Sequence, residues 1–177
     1  DTSTNDMVLV MANGESGVRV ESDADLEILK SALFEVYNVL CAKIAEDGEG
    51  ATKRIEVNVY NGIDFSECKK AAKAIANSNL VKTAMFGNDP NWGRILCACG
   101  YSGAEFHPDH IEVTLCGVPV YQNGGPVKFD ALELSQKIDS PVVKVDIDLG
   151  HKTEAHAVAH TCDFSYDYVK INAEYHT

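Results

Sequence analysis

The stretch Arg54-Ile-Glu-Val-Asn-Val-Tyr60 alternates apolar and polar residues, as a β-strand does when it buries one face. The Asn61-Gly62 pair that follows is typical of a turn. Residues 64–77 then place apolar side chains at helical spacing, with lysines on the opposite side. We expect the inward side chains of this helix to be those of Phe65, Cys68, Ala71, Ala72 and Ile75. A strand, a turn and an amphipathic helix in this order predict a helix packed on a sheet.

Two further elements are predicted before this strand. Residues 7–12 form a short apolar run closed by Asn13-Gly14, which favours a fully buried strand that ends in a turn. Ser22-Asp-Ala-Asp25 resembles a capping box, and the apolar residues after it recur every three or four positions until Gly48. A long helix should therefore connect the first strand to the stretch 54–60.

Strand patterns dominate the part of the chain that follows. Periodicity leaves helix and strand both open for residues 80–86 and 95–101, and leaves residues 166–175 helical or irregular. A short helix is expected at 130–137, and strands are expected at 111–115, 118–121, 142–149 and 155–162. This order predicts a two-layer α/β fold, in which helices pack on a mixed, largely antiparallel sheet. Because no repeat or linker interrupts the pattern, we expect residues 1–177 to form a single domain.

Composition narrows the class of partner. A formal net charge of −12 argues against nucleic acid, because phosphate binding relies on clustered Lys and Arg. No apolar run approaches the ~20 residues that a membrane-spanning helix needs, and no leader is recognisable, so no membrane partner is expected. The six cysteines show no CxxC pair, which suits buried thiols in a reducing cytoplasm. Small metabolites or proteins are the expected partners of a cytoplasmic protein.

The histidines and the first residue give little support for chemistry on this chain. None of the six histidines lies in a G-x-S-x-G context. His156 and His160 are four residues apart, but they lie in an alternating segment without the Glu of an H-E-x-x-H motif, which favours a polar strand face over a metal site. Asp1 cannot be the nucleophile of an N-terminal nucleophile enzyme, because that chemistry needs Thr, Ser or Cys. We therefore expect no metal.

Two loops carry candidate binding residues. Glu49 lies between two glycines at a helix-to-strand junction, where it is either part of a solvated turn or a counter-ion for a substrate ammonium group. The loop Gly87-Asn-Asp-Pro-Asn-Trp-Gly-Arg94 holds the only Trp. This loop is either a tight turn with Trp92 in the core or a site at which Arg94 meets a substrate carboxylate. Its candidate site-lining residues are Asn88, Asn91 and Arg94.

Four motifs together resemble the β chain of bifunctional ornithine acetyltransferases, also called glutamate N-acetyltransferases, of arginine biosynthesis. They are Asp1-Thr-Ser-Thr-Asn-Asp6, Asp47-Gly-Glu-Gly-Ala-Thr-Lys53, the stretch from Leu80-Val-Lys-Thr-Ala-Met-Phe-Gly87 through Asp89-Pro-Asn-Trp-Gly-Arg94, and the ending Lys170-Ile-Asn-Ala-Glu-Tyr-His-Thr177. Their order and spacing agree with that family along the whole chain.

The resemblance implies a self-cleaving precursor in which an Ala-Thr bond breaks and the freed Thr carries an acetyl group from N2-acetylornithine to glutamate. That Thr lies upstream of Asp1 in the family, so no catalytic residue is expected on this chain. The family's α chain, which holds the oxyanion hole, is the expected partner, in a heterotetramer of two α and two β chains. No cofactor is implied, and acetyl-CoA remains open as a second acetyl donor.

The family's substrate contacts map onto Glu49, Asn172 and Thr177. N-acetylornithine, ornithine and glutamate are the implied substrates and products. Two alternatives stay open: a non-catalytic module that binds ornithine or glutamate, and an amidohydrolase or aminopeptidase relative with the same self-cleaving architecture.

Overall fold

A mixed sheet forms the centre of the structure, a computed structural model that describes residues 7–174. Its strands are β1 (Arg54–Tyr60), β2 (Glu112–Leu115), β3 (Val118–Gln122), β4 (Gly125–Pro126), β5 (Val142–Asp148) and β6 (His156–Cys162). They lie in the order β4-β3-β2-β5-β1-β6. β1 pairs with β5 in parallel, and the other neighbouring strands pair antiparallel. The predicted mixed, largely antiparallel sheet is confirmed.

The helices are α1 (Asp23–Glu46), α2 (Phe65–Ala76), α3 (Asn79–Phe86), α4 (Trp92–Gly100), α5 (Ala131–Ile138) and α6 (Tyr166–Glu174). α2 packs on β1 and β6, α4 packs on β2, and α5 packs on β5. The apolar residues of β1 that alternate with its polar ones, Ile55, Val57 and Val59, are completely buried in this layer. β1 pairs with β5 on one side and β6 on the other, so its backbone groups are bonded on both sides while α2 packs on its apolar face.

The long helix α1 contacts the other face of the sheet. Arg54 and His160 point away from the main core, and they bond Glu46 and Asn38 of α1 at 2.7 Å and 3.0 Å. The predicted capping box is confirmed, because the Ser22 side chain accepts from the Asp25 backbone N–H while the Asp25 carboxylate accepts from the Ser22 N–H. The apolar stripe of α1 remains exposed in residues 7–174, with Ala45 as its buried residue.

Residues 80–86 and 95–101, which periodicity left open, lie mainly in the helices α3 and α4. Their caps explain the result. The Ser78 hydroxyl accepts from the Val81 N–H, and the Asn91 side chain accepts from the Arg94 N–H at 3.1 Å. The C-terminal segment, also left open, forms α6.

Three local predictions are wrong. Residues 7–12 form no strand and are exposed, because no strand in residues 7–174 lies beside them to satisfy their backbone groups. Phe65 is 54% exposed rather than inward, since it is the first residue of its helix and lies beyond the edge of the core. Cys41 and Cys97 are exposed on helix surfaces, whereas Cys68, Cys99 and Cys162 are buried as expected.

Within residues 7–174, no helix combines the length and the apolar character needed to cross a membrane.

Candidate functional site

The turn at residues 47–50, here called the Glu49 turn, joins α1 to the segment that leads into β1. The backbone N–H of Asp47 closes the end of α1 on the Lys43 carbonyl, and the Ala51 N–H returns to the Gly48 carbonyl, both at 2.9 Å. These bonds fix the backbone on both sides of Glu49, whose side chain remains exposed. The turn therefore presents one carboxylate to solvent on a braced backbone.

Gly50 is a point of close backbone approach. Its φ is +76°, and a Cβ at this position would lie 2.7 Å from the Asp167 carbonyl carbon at the start of α6. A side chain there would meet both an unfavourable backbone conformation and another backbone. The space beside Gly50 that a small ligand could have entered is occupied by the backbone of α6.

Ser165 stabilises the contact between Gly50 and α6 through two hydrogen bonds. The buried Ser165 hydroxyl donates to the Gly50 carbonyl and accepts from the Tyr168 N–H at 2.9 Å. The same side chain thus caps the first turn of α6 and joins that turn to the Glu49 turn. The two segments, more than 110 residues apart in sequence, form one contiguous surface.

Tyr168 connects the two predicted substrate contacts that the structure describes. Burial raises the pKa of the Tyr168 hydroxyl, and the nearby negative charge of Glu49 contributes to the same shift. One turn further along α6, the Asn172 side-chain amide donates to the Tyr168 carbonyl at 2.9 Å. Asn172 is exposed. Glu49 and Asn172 therefore lie around the same tyrosine.

The third predicted contact, Thr177, lies outside the described residues. The motif at residues 1–6 does so as well.

Asn88 is tied to the segment that follows the Glu49 turn. Its φ of +55° turns the chain after α3, and its side-chain oxygen accepts from the Lys53 ammonium group. Lys53 also donates to the Met85 carbonyl at 3.0 Å and is 8% exposed. Of the loop residues, Asn88 is thus the one linked directly to the segment that carries Glu49.

Asn91 and Arg94 have structural partners. Asn91 caps α4, and its amide nitrogen donates to the Asp89 carboxylate at 3.0 Å. The Arg94 guanidinium donates to the Leu80 carbonyl at 3.0 Å and to the Thr83 hydroxyl at 3.3 Å. Trp92 packs against the core and lies 5.5 Å, between ring centroids, from Tyr121. These contacts agree with the tight-turn interpretation of the loop.

His156 and His160 occupy a strand face, as their alternating segment indicated. The His156 ring stacks on the Tyr60 ring with centroids 4.4 Å apart. His160 lies between Arg54 and Asn38. Both rings therefore have partners on the polar face of the sheet.

The sequence reasoning missed two buried ionisable residues below the Glu49 turn, Asp163 and Lys82. Asp163 accepts from the backbone of Thr52 and Lys53, while Lys82 lies against two aromatic rings. A lysine inside the apolar stretch 80–86 is the one signal that could have drawn attention to Lys82. Asp163 directly follows a predicted strand and had no such signal.

The chain matches known proteins along its whole length. Residues 1–177 match the ArgJ family. The arginine biosynthesis bifunctional proteins ArgJ of Symbiobacterium thermophilum and Streptococcus thermophilus are 46% and 45% identical to this chain and cover 100% of it. The chain spans only 44% and 45% of the length of those relatives.

Similarity extends to the fold. The crystal structure of arginine biosynthesis bifunctional protein argJ from Bacillus halodurans superposes with a TM-score of 0.88 at 40% identity, over 99% of this chain and 83% of that chain. The match over every residue and the shared fold lead to one conclusion: this chain belongs to the ArgJ family.

Proposed function

We propose that this chain is the substrate-binding portion of an acetyltransferase that moves the acetyl group of N2-acetylornithine to L-glutamate. The observation that carries the proposal is the packing of the Glu49 turn against α6, which brings Glu49 and Asn172 around Tyr168 in a chain of the ArgJ family. Thr177, at the end of the same segment, is proposed as a third substrate contact.

Each proposed contact has a chemical role. In N2-acetylornithine the α-amine is acylated, so the side-chain ammonium is the group that a carboxylate can bind, and Glu49 is an exposed carboxylate on a braced turn. The Asn172 amide can donate to or accept from the polar groups of the substrate. Asn88 and Arg94 bond Lys53 and α3, respectively, and Asn91 caps α4, so all three support the loop.

The proposed reaction proceeds in two steps. The hydroxyl of a threonine upstream of this chain attacks the acetyl carbonyl carbon, the bond to the ornithine α-nitrogen breaks, and that nitrogen leaves with a proton. The glutamate α-amine then attacks the acetyl-threonine, the ester bond breaks, and the threonine hydroxyl is restored. A covalent intermediate of this kind divides one difficult transfer into two easier steps.

The partner in this proposal is the remaining part of the protein. Residues 7–20 and α1 expose a long row of large apolar side chains, among them Met7, Leu9, Met11, Ile28, Phe34 and Val39. Single exposed apolar residues are normal on a protein surface, but a contiguous row of this length is typical of an interface. We propose that the α chain covers it, in a heterotetramer of two α and two β chains.

An isosteric substitution that removes the negative charge tests the substrate role of Glu49. In the complete protein, Glu49→Gln should raise the KM for N2-acetylornithine by about ten- to a hundredfold, the value of one hydrogen-bonded charge pair. The KM for glutamate, which lacks a side-chain ammonium, should change much less. Glu133→Gln on α5, another exposed carboxylate, provides the matched control and should leave both constants unchanged.

Turnover assays distinguish the proposed acetyltransferase from the two alternatives, a binding module and an aminopeptidase relative. N-acetylglutamate should form with the complete protein and not with this chain alone, and replacing N2-acetylornithine by acetyl-CoA tests the second donor. Ornithine binding without any turnover would favour a binding module, and hydrolysis of peptide amides would favour an aminopeptidase relative.

A further inference from the structure

Three buried charged side chains lie beneath the Glu49 turn, and none of them is among the proposed substrate contacts. They are Lys53, which is 8% exposed, and Lys82 and Asp163, which are fully buried. We call these three residues the buried charge cluster. Burying ionised groups is costly unless opposite charges and hydrogen bonds compensate, so such a cluster needs a physical reason.

Asp163 holds the segment between the Glu49 turn and β1. Its Oδ1 accepts from the backbone N–H groups of Thr52 and Lys53 at 2.8 Å and 3.0 Å, and its Oδ2 accepts from the Thr52 hydroxyl at 2.5 Å. The Asp163 N–H donates to the Lys53 carbonyl at 3.1 Å. Four bonds therefore join the residue just after β6 to Thr52 and Lys53, between the turn and β1.

Lys82 holds the start of α6. Its ammonium group lies 5.4 Å from the ring centroids of both Phe164 and Tyr168, which is the geometry of a cation–π contact. The Lys82 carbonyl also accepts from the Phe164 N–H at 3.3 Å. Burial lowers the pKa of Lys82, and the Asp163 carboxylate opposes that shift.

Lys53 links the same carboxylate to the loop after α3. Its ammonium group bonds the Met85 carbonyl and the Asn88 side chain, and it lies 3.9 Å from the Asp139 carboxylate. Burial lowers the pKa of Lys53, while Asp139 and Asp163 oppose the shift. The two buried lysines thus contact two different helix ends, the end of α3 and the start of α6.

We propose that Asp163 is a positioning residue that sets the Glu49 carboxylate relative to Asn172. Its hydrogen bonds fix Thr52 and Lys53, just after the Glu49 turn, and Asp163 itself lies in the short connection between β6 and α6. The turn and the helix adjoin the paired strands β1 and β6, in which Arg54 lies opposite Cys162, and the contacts of Asp163 and Ser165 extend that pairing to the turn. The inference rests on the proposed substrate role of Glu49.

A double-mutant cycle in the complete protein tests the coupling. Asp163→Asn keeps the shape of the side chain but turns one acceptor into a donor that faces Thr52. The single variant should raise the KM for N2-acetylornithine by about tenfold with little change in kcat, as expected for a misplaced charge-assisted contact. The double variant with Glu49→Gln should be no worse than Glu49→Gln alone, because both changes remove the same contact.

Two further comparisons distinguish a positioning role of Asp163 from a general loss of folding. Asp130→Asn, at a carboxylate that also accepts from two backbone N–H groups but caps α5, should leave the KM unchanged. Thr52→Val removes one donor to Asp163 at an exposed residue and should raise the KM in the same direction by a smaller factor, whereas Thr52→Ser, which keeps the hydroxyl, should restore it.

Hydrogen exchange gives a result that does not depend on activity. In Asp163→Asn, the amides of Thr52, Lys53 and Tyr168 should lose protection while those of β1 and β5 keep it. Unchanged protection at Thr52 and Lys53, or purely additive effects in the cycle, would overturn the positioning role. If Glu49→Gln leaves the KM unaltered while those amides still lose protection, the substrate role of Glu49 fails and the positioning of its turn is upheld.

Discussion

At the residue scale, Gly50 shows how strongly one position can constrain the site. Its positive φ is shared by Gly103, with values of +76° and +75°, but no atom lies within 4 Å of a Cβ placed at Gly103. Gly103→Ala should therefore cost about 1 kcal/mol, the conformational cost alone. Gly50→Ala adds a collision with the backbone of α6 and should cost more than about 3 kcal/mol.

Thermal unfolding of the two glycine variants of the complete protein measures this difference. Equal losses of stability would contradict the close approach of α6. A larger loss for Gly50→Ala, accompanied by a higher KM for N2-acetylornithine, would agree with it.

Local sequence patterns indicate one residue of the site, Glu49, but not its distant partner Asp163. The glycines around Glu49 marked that residue, since glycine beside a carboxylate is a local pattern. Asp163 bonds residues 110 and 111 positions away, and no local spacing indicates such a partner. The residue exposed in the turn was therefore predictable from the sequence, whereas the residue that holds the turn was not.

At the scale of elements, α1 is attached to the sheet through a histidine. The Arg54 guanidinium can only donate, so Nδ1 of His160 accepts from it, and Nε2 carries the hydrogen that bonds Asn38. Burial lowers the pKa of His160 from its ordinary value of 6.5, and the positive charge of Arg54 lowers it further. Protonation would place a new hydrogen on Nδ1, directly against the guanidinium.

The attachment of α1 should consequently weaken in mild acid. The folded state disfavours the proton, so the unfolded state binds more protons as the pH falls through 6.5, and the folded state loses stability there. His160→Gln can keep one acceptor and one donor but does not titrate. As the pH is lowered from about 7.5 to about 5.5, the Tm of the native protein should fall relative to the Tm of His160→Gln.

The exposed His107 supplies the control for losing a histidine, since His107→Gln leaves α1 untouched. A difference in Tm between the native protein and His160→Gln that stays constant over this pH range would contradict the expected weakening.

At the scale of the whole molecule, the apolar surface of residues 7–20 and α1 is the proposed interface with the α chain. In the proposed heterotetramer, Phe34 on α1, 62% exposed in this chain, is covered by the α chain. Phe34→Glu would bury an unpaired charge there and should weaken the association of the two parts by at least about tenfold. Leu132→Glu, at a similarly exposed position on α5, is the matched control.

Analytical ultracentrifugation of the complete, processed protein provides the measurement. Dissociation by Phe34→Glu alone is the expected result, and intact assemblies for both variants would remove α1 from the proposed interface. That residues 1–177 form a single domain also stays a prediction, which a single cooperative unfolding transition of the assembled protein would support.

The sequence by itself determined the elements whose signals are local. The alternation at residues 54–60, the helical spacing at 64–77 and the capping box at Ser22 each act over a few residues, and all led to correct elements. Helix caps at Ser78 and Asn91 would have decided α3 and α4 in the same way.

Only the tertiary structure decided which apolar segments are buried and which charged groups meet. Residues 7–12 have the composition of a strand, yet a strand forms only where a neighbouring strand satisfies its backbone, and none lies beside them in residues 7–174. The packing of α6 on the Glu49 turn likewise depends on groups more than 110 residues apart. Periodicity reports the preferences of one segment, whereas burial and charge compensation depend on which segments the folded chain brings together.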